Sequence, residues 1–218
     1  ILSETFTIGL PALGTTFVSC FGYIAFARMV SGMGTTIFAA HSIAITAEQI
    51  VYIPGYGLRV ATSTLVGNAL GEKDIRKLKA TERVSILITL LIMVVNGIGL
   101  YLFAYPFMRL FTNSVNAARI GSEMLRLVSF SEPFFGLMIV LEGISYGMGR
   151  TKHVFACEAV SMWGIRIFGT FLCVNVFGLG LKAVWLCMIA DNICKAILLY
   201  IFRPKHVEEN ADDRGALR

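Results

Sequence analysis

Long charge-free stretches separated by short charged ones organise this chain. Val84 to Met108 runs 25 residues without a charge, Thr5 to Ala27 runs 23 and Met29 to Ala47 runs 19. Roughly 20 predominantly apolar residues carry a helix across a bilayer. The pattern predicts six spans at about 5–30, 36–66, 84–105, 124–148, 154–177 and 181–202. No ten-residue alternating segments recur, which argues against a β-barrel. The predicted fold class is therefore an all-α membrane protein. Pro54, Gly55 and Gly57 in the long second span predict a kink or tilt there. Pro11 is expected near the start of the first span, where a proline costs least. The fourth span carries Pro133 with Gly136, Gly143, Gly147 and Gly149, tolerable where neighbouring helices satisfy the freed backbone. Gly143 and Gly147, one turn apart, suit close helix contact.

Composition removes the soluble alternative. Charged residues are 15% and apolar residues 56%, with mean hydropathy +0.72, against about 25% charged in soluble domains. The first apolar run has no basic leader or small-residue cleavage site, so it does not read as a signal peptide. A chain that starts at Ile1, almost inside its first span, is expected to be a fragment, or one half of a larger protein.

The position of the charges says more than the net +5. Lys73, Arg76, Lys77, Lys79, Arg83, Arg150, Lys152, Arg203 and Lys205 fall on one side of the predicted spans, against Arg109, Arg119 and Lys182 on the other. This imbalance predicts that the first side, with both ends of the chain, is cytoplasmic. Gly71 is expected to make the turn that stops the second span. Residues 72–83 then read as loop and the start of the third span, with Asp74 and Glu82 solvated. Two regions result: a transmembrane lobe, 1–203, and a short polar cytoplasmic tail, 204–218. The basic loop suits anionic membrane lipid; no interleaving of aromatic and basic residues points to nucleic acid.

Ionisable residues inside spans are costly and usually face a bundle interior or a cavity. Glu48 leads, with Gln49, Tyr52 and Arg59 beyond it; His41 lies two turns before Glu48 on the same face. A structural hydrogen bond or salt bridge competes with an ion- or substrate-handling role for Glu48, and His41 reads as structural. Glu142, followed one turn later by Tyr146, is the second candidate; Glu132 sits nearer the outer end, where solvation accounts for it. Asp191 and Lys195, four apart, suit an architectural ion pair within one helix, and Glu158 and Arg166 share one side of another. The five cysteines stand singly and are expected to be small buried side chains rather than disulfides or metal ligands. No phosphate-binding, zinc or nucleophile motif selects an enzyme, and no cofactor is implied.

Three segments, GLPALGTTF, GTTIFAAHSIAITAEQIVYIPGYGLRVATSTLVGNALGEKD and SEPFFGLMIVLEGISYGMGRTKH, resemble the C-terminal half of multidrug and toxic compound extrusion (MATE) transporters. The likeness runs from about Thr5 to Arg203. It implies a six-helix lobe similar to helices 7–12 of a twelve-helix antiporter. Such proteins export organic, often cationic amphipathic compounds by alternating access, driven by Na+ or H+, from a prokaryotic cell membrane. The resemblance makes a first six-helix lobe the principal partner. Some members carry an acid two turns after the leading proline of helix seven; here that position is Ser19, and their helix-ten acid falls near Phe135. Coupling through Glu48, Glu142 or the other lobe is what the resemblance then implies. The alternatives are a flippase for a lipid-linked saccharide or other amphiphile, a channel, and a non-transporting scaffold.

Overall fold

A computed structural model describes residues 2–202. Its helices are α1 (Leu2–Ser31), α2 (Thr35–Gly71), α3 (Ile75–Phe111), α4 (Val115–Ser129), α5 (Glu132–Gly147), α6 (Thr151–Ser161), α7 (Phe168–Phe171) and α8 (Leu181–Ile201). π-helical turns at Met162–Ile167 and Leu172–Val176 join α6 and α7 into one rod. Among the described residues, five helical segments are long and apolar enough to cross a membrane, and the bent pair α4–α5 is a sixth if it forms one span. The protein is an all-α, multi-spanning membrane domain. Arg203, Lys205 and the expected tail 204–218 lie outside the described residues.

The fourth span differs from expectation. Instead of one helix over 124–148, α4 and α5 meet at a 60° bend. Pro133 supplies the reason. Its ring would strike the carbonyl of Ser129 in a continuous helix, and it has no N–H to offer. At the second position of α5 neither defect matters. The Ser131 hydroxyl donates to the Val128 carbonyl (2.8 Å) and occupies an acceptor exposed by the break. α4 is amphipathic: Ala117, Ala118, Gly121, Met124, Leu125 and Val128 are buried, while Arg119, Glu123 and Arg126 are exposed.

Other boundaries also moved. Pro11 lies well inside α1 rather than at its start. α2 continues unbroken through Pro54, and Asn96 of α3 donates to the Val51 carbonyl beside it (3.1 Å). α3 begins at Ile75, so most of the expected loop is helix; Asp74 caps it by accepting from the Lys77 N–H (2.9 Å). Gly71 ends α2 but is not the left-handed residue of the turn. Lys73 is, at φ 57°. Glu82, expected in water, is buried. The cysteines are less uniform than expected: Cys157 is buried, Cys20 exposed, and Cys173, Cys187 and Cys194 half-buried.

Two apolar clusters hold the lobe together. One joins Phe26, Ala44, Leu100, Met108, Leu125 and Trp185 near the α1–α2 and α3–α4 turns. The other joins Val66, Met93, Phe135, Ile139, Ile144 and Leu199 toward the opposite end. Outward positions such as Phe17, Ile24, Val95, Leu102 and Phe168 are large, apolar and exposed, as a lipid-facing surface requires. Because lipid tails are as apolar as the helices, close backbone packing has to supply much of the attraction between them. α2 and α5 achieve it through Gly143 and Gly147. A Cβ at Gly143 would lie 2.7 Å from the Arg59 carbonyl oxygen, and one at Gly147 2.5 Å from that of Ser63.

Gly147→Ala is therefore expected to force α2 and α5 apart and to destabilise the purified protein by about 1–3 kcal/mol, the usual range for overpacking. Gly99→Ala, where an added Cβ meets nothing within 4 Å, should leave the unfolding midpoint in detergent unchanged or slightly raised. Equal midpoints for the two variants would contradict the close-packing account.

Candidate functional site

The polar face expected on α2 is present but selective. Glu48 is buried, and the Tyr52 hydroxyl one turn later donates to its Oε1 (2.5 Å). The Tyr52 ring stacks on Phe135 of α5 with centroids 3.7 Å apart, so the carboxylate's partner is held from a second helix. Tyr56 meets the same Phe135 edge-on, and the Arg59 guanidinium sits over Tyr56 at 5.3 Å. Gln49 is exposed: a rotation of about 100° per residue turns it away from Glu48. It is not part of the buried site.

Glu142 is paired. Its Oε2 accepts from Arg59 Nη1 at 3.1 Å and ties α5 to α2. Arg59 keeps 33% of its side chain exposed, so this pair opens toward solvent or a facing surface. Tyr146 is half-buried one turn beyond Glu142, against the second apolar cluster.

Glu132 corrects the expectation of simple solvation. It is fully buried, and both carboxylate oxygens have no hydrogen-bond partner. Its stem packs where Gly97 leaves room; a Cβ there would lie 3.2 Å from Glu132 Cβ. The α4–α5 break carries it inward, and that break is what a straight-helix reading misses. Proline one residue later was the available signal.

The largest polar group lies between α1, the α6–α7 rod and α8. Lys195 Nζ is 2.6 Å from Glu158 Oε2, and Arg166 Nε is 2.8 Å from Asp191 Oδ2. Lys195 and Asp191, expected as an intrahelical pair, are 4.0 Å apart, so each charge has a closer partner on the other helix. α6 and the π turn present Glu158 and Arg166 directly to α8, where they meet Lys195 and Asp191 at the shorter distances. Ser161 donates to the Asp191 carboxylate and backbone carbonyl, and Arg166 Nη2 donates to Asn192 Oδ1 (3.3 Å). α1 joins through Ser19, which donates to Glu158 Oε1 (2.6 Å), and through Tyr23 and Phe26, whose rings lie 5.5 and 5.9 Å from the guanidinium carbon of Arg166. Two carboxylates balance two cations, all four side chains 8% exposed or less.

His41 is structural in geometry. Its Nδ1 accepts from the Trp185 indole N–H (3.2 Å), and its ring meets Phe26 and Trp185, linking α2 to α8 and α1. Among the described residues, no three His, Cys, Asp or Glu side chains are placed to hold a metal.

Buried, mostly paired charges inside an apolar exterior complete the picture of a multi-spanning membrane domain. Residues 11–172 match the MatE family model, and the chain belongs to that family. It is 30% identical over 201 residues to "Probable multidrug resistance protein NorM" of Thermotoga maritima, covering 91% of this chain and 43% of the relative. The corresponding protein of Photorhabdus laumondii is 28% identical over 204 residues, covering 92% and 45%. Among solved structures, a MATE protein in complex with MaL6 superposes with TM-score 0.86 at 20% identity, covering 95% of this chain and 47% of that one. A MOP superfamily transporter from Pyrococcus furiosus gives 0.85 at 17%, covering 92% and 44%. The chain thus spans less than half the length of the relatives it matches.

In the buried network, Asp191→Asn should cost about 3–5 kcal/mol, because it strands the Arg166 charge. Removing Glu158 and Lys195 together as Glu158→Gln with Lys195→Met should cost less than either change alone. A double-mutant cycle on thermal unfolding checks this; strictly additive losses would contradict the pairing.

Proposed function

We propose that the chain forms the C-terminal six-helix half, helices 7–12, of a cation-coupled antiporter that exports organic, often cationic amphipathic compounds by alternating access. The match of residues 11–172 to the family carries this reading. The names of the Thermotoga and Photorhabdus relatives support the drug-resistance assignment. The second lobe is supplied by a further six helices, and the central cavity lies between the two. The lobe sits in a prokaryotic cell membrane with both of its ends cytoplasmic. This orientation rests on Lys73, Arg76, Lys77, Lys79 and Arg83 clustering with Arg150 and Lys152 at the turns after α2 and α5.

Glu48 is the coupling residue we favour within this lobe. Its hydrogen-bond partner is a neutral phenol, whereas Glu142, Glu158 and Asp191 each lie against a cation and the buried Glu132 has no hydrogen-bond partner to serve its charged state. A Na+ or H+ arriving from outside neutralises Glu48 and weakens the hold on an organic cation, which leaves outward. Release of the ion inward resets the site. The coupling is the difference in affinity between the two conformations. Glu142 with Arg59 and Tyr146 borders the same cavity, and Ser19 acts indirectly, by holding Glu158.

In the full-length protein, Glu48→Gln should lower ion-driven efflux of a fluorescent organic cation by about tenfold or more while leaving expression intact. Asp191→Asn should lower protein yield instead. Unchanged efflux and ion dependence in Glu48→Gln would refute the assignment. Transport of a lipid-linked saccharide without organic-cation efflux would favour the flippase reading.

A further inference from the structure

Cys173 and Cys187 stand singly along the sequence, yet their sulfurs are 3.7 Å apart, in van der Waals contact. Cys173 lies in the π turn Leu172–Val176 and Cys187 on α8. Gly169, one turn before Cys173, brings the two helices together: a Cβ there would lie 3.3 Å from Cys187 Sγ and 3.9 Å from its Cβ. Both thiols are half-buried and line an open groove of about 500 Å³ between the helices, with Gly164, Ala183 and Leu186. The site is shallow. Cys173 is three residues from the helix end at Val176, and Cys187 is six residues, about 9 Å at 1.5 Å per residue, from the start of α8. Cys157 Sγ is 3.9 Å from His153 Nε2, and Cys20 is exposed on α1.

We propose that Cys173 and Cys187 form a reversible disulfide that fastens the end of the α6–α7 rod to α8. Each thiol loses one hydrogen as the sulfurs join, and a low-molecular-weight disulfide oxidant takes up both hydrogens and the electron pair and leaves as two thiols. Closure requires the two side chains to rotate so that the sulfurs pass from contact at 3.7 Å to the bonding distance of about 2.0 Å. The bond lies across the groove and prevents the two helix ends from separating. It is independent of the buried ion pairs, which lie deeper along the same two helices.

The test uses the full-length protein in membranes, with diamide as oxidant; its azo group takes up the two hydrogens and becomes a hydrazine. Proteolysis and mass spectrometry should then find one linked peptide pair containing Cys173 and Cys187, lighter by two hydrogens. Alkylation of both thiols should fall at least tenfold and recover after dithiothreitol. Cys173→Ser and Cys187→Ser should each abolish the link, and Cys20→Ser, Cys157→Ser and Cys194→Ser should retain it. Full alkylation of both thiols after diamide, or a link from Cys187 to any other cysteine, would overturn the proposal. Alkylation of the reduced protein shows that each remaining thiol is accessible, and an unchanged unfolding midpoint in detergent shows that each serine variant is folded, so a lost link cannot be mistaken for a collapsed protein.

Discussion

Four charges buried between three helices have to neutralise one another, and this constraint decides which helices are neighbours. Each ion removed from water costs several kcal/mol even after relaxation. Glu158, Arg166, Asp191 and Lys195 meet that cost by pairing across the gap between the α6–α7 rod and α8. Helices in lipid gain little from burying apolar surface against one another, because the lipid is equally apolar. Polar pairing therefore sets register here more than hydrophobic contact does. α1 is drawn into the same arrangement by the Ser19 hydroxyl and by two aromatic rings beside Arg166.

The other side of the lobe follows a different rule. α2 and α5 approach until backbone carbonyls occupy the places of missing side chains at Gly143 and Gly147. α3 meets the α4–α5 break in the same way, since a Cβ at Gly97 would come within 2.7 Å of the Ser129 carbonyl oxygen. The bend imposed by Pro133 and the small residue opposite it are complementary parts of one contact. That contact encloses Glu132 and leaves an acid buried inside the protein.

Much of this was legible in the sequence. Charge-free length identified the spans, one-turn glycine spacing identified the close contact, and the shared face of His41 and Glu48 proved buried. What escaped were relations between elements. Intrahelical spacing suggested Asp191 with Lys195, but the geometry between helices made Glu158 and Arg166 the nearer partners. Gln49 follows Glu48 in sequence yet faces the opposite environment, since adjacent residues on a helix do not share a face. Glu132 was misjudged because its depth depends on a break, and Glu82 because the helix starts earlier than its charges suggest. The contact between Cys173 and Cys187 joins two spans and has no signature along either one.

These pairings also separate the acids by what each can do. A carboxylate that loses its charge beside a buried cation strands that cation, so Glu158 and Asp191 cannot take up an ion without weakening the lobe. Glu142 is less constrained, since Arg59 remains a third exposed and can turn to water or to a facing surface. Glu48 is freer still. Its phenolic partner can donate to a carboxylate or accept from a carboxylic acid, so Tyr52 serves both states without a change of fold. Phe135 holds that tyrosine in place through either state. The Glu48–Tyr52 pair combines this tolerance with burial on the helix that borders α5, which is what the proposed coupling role would require.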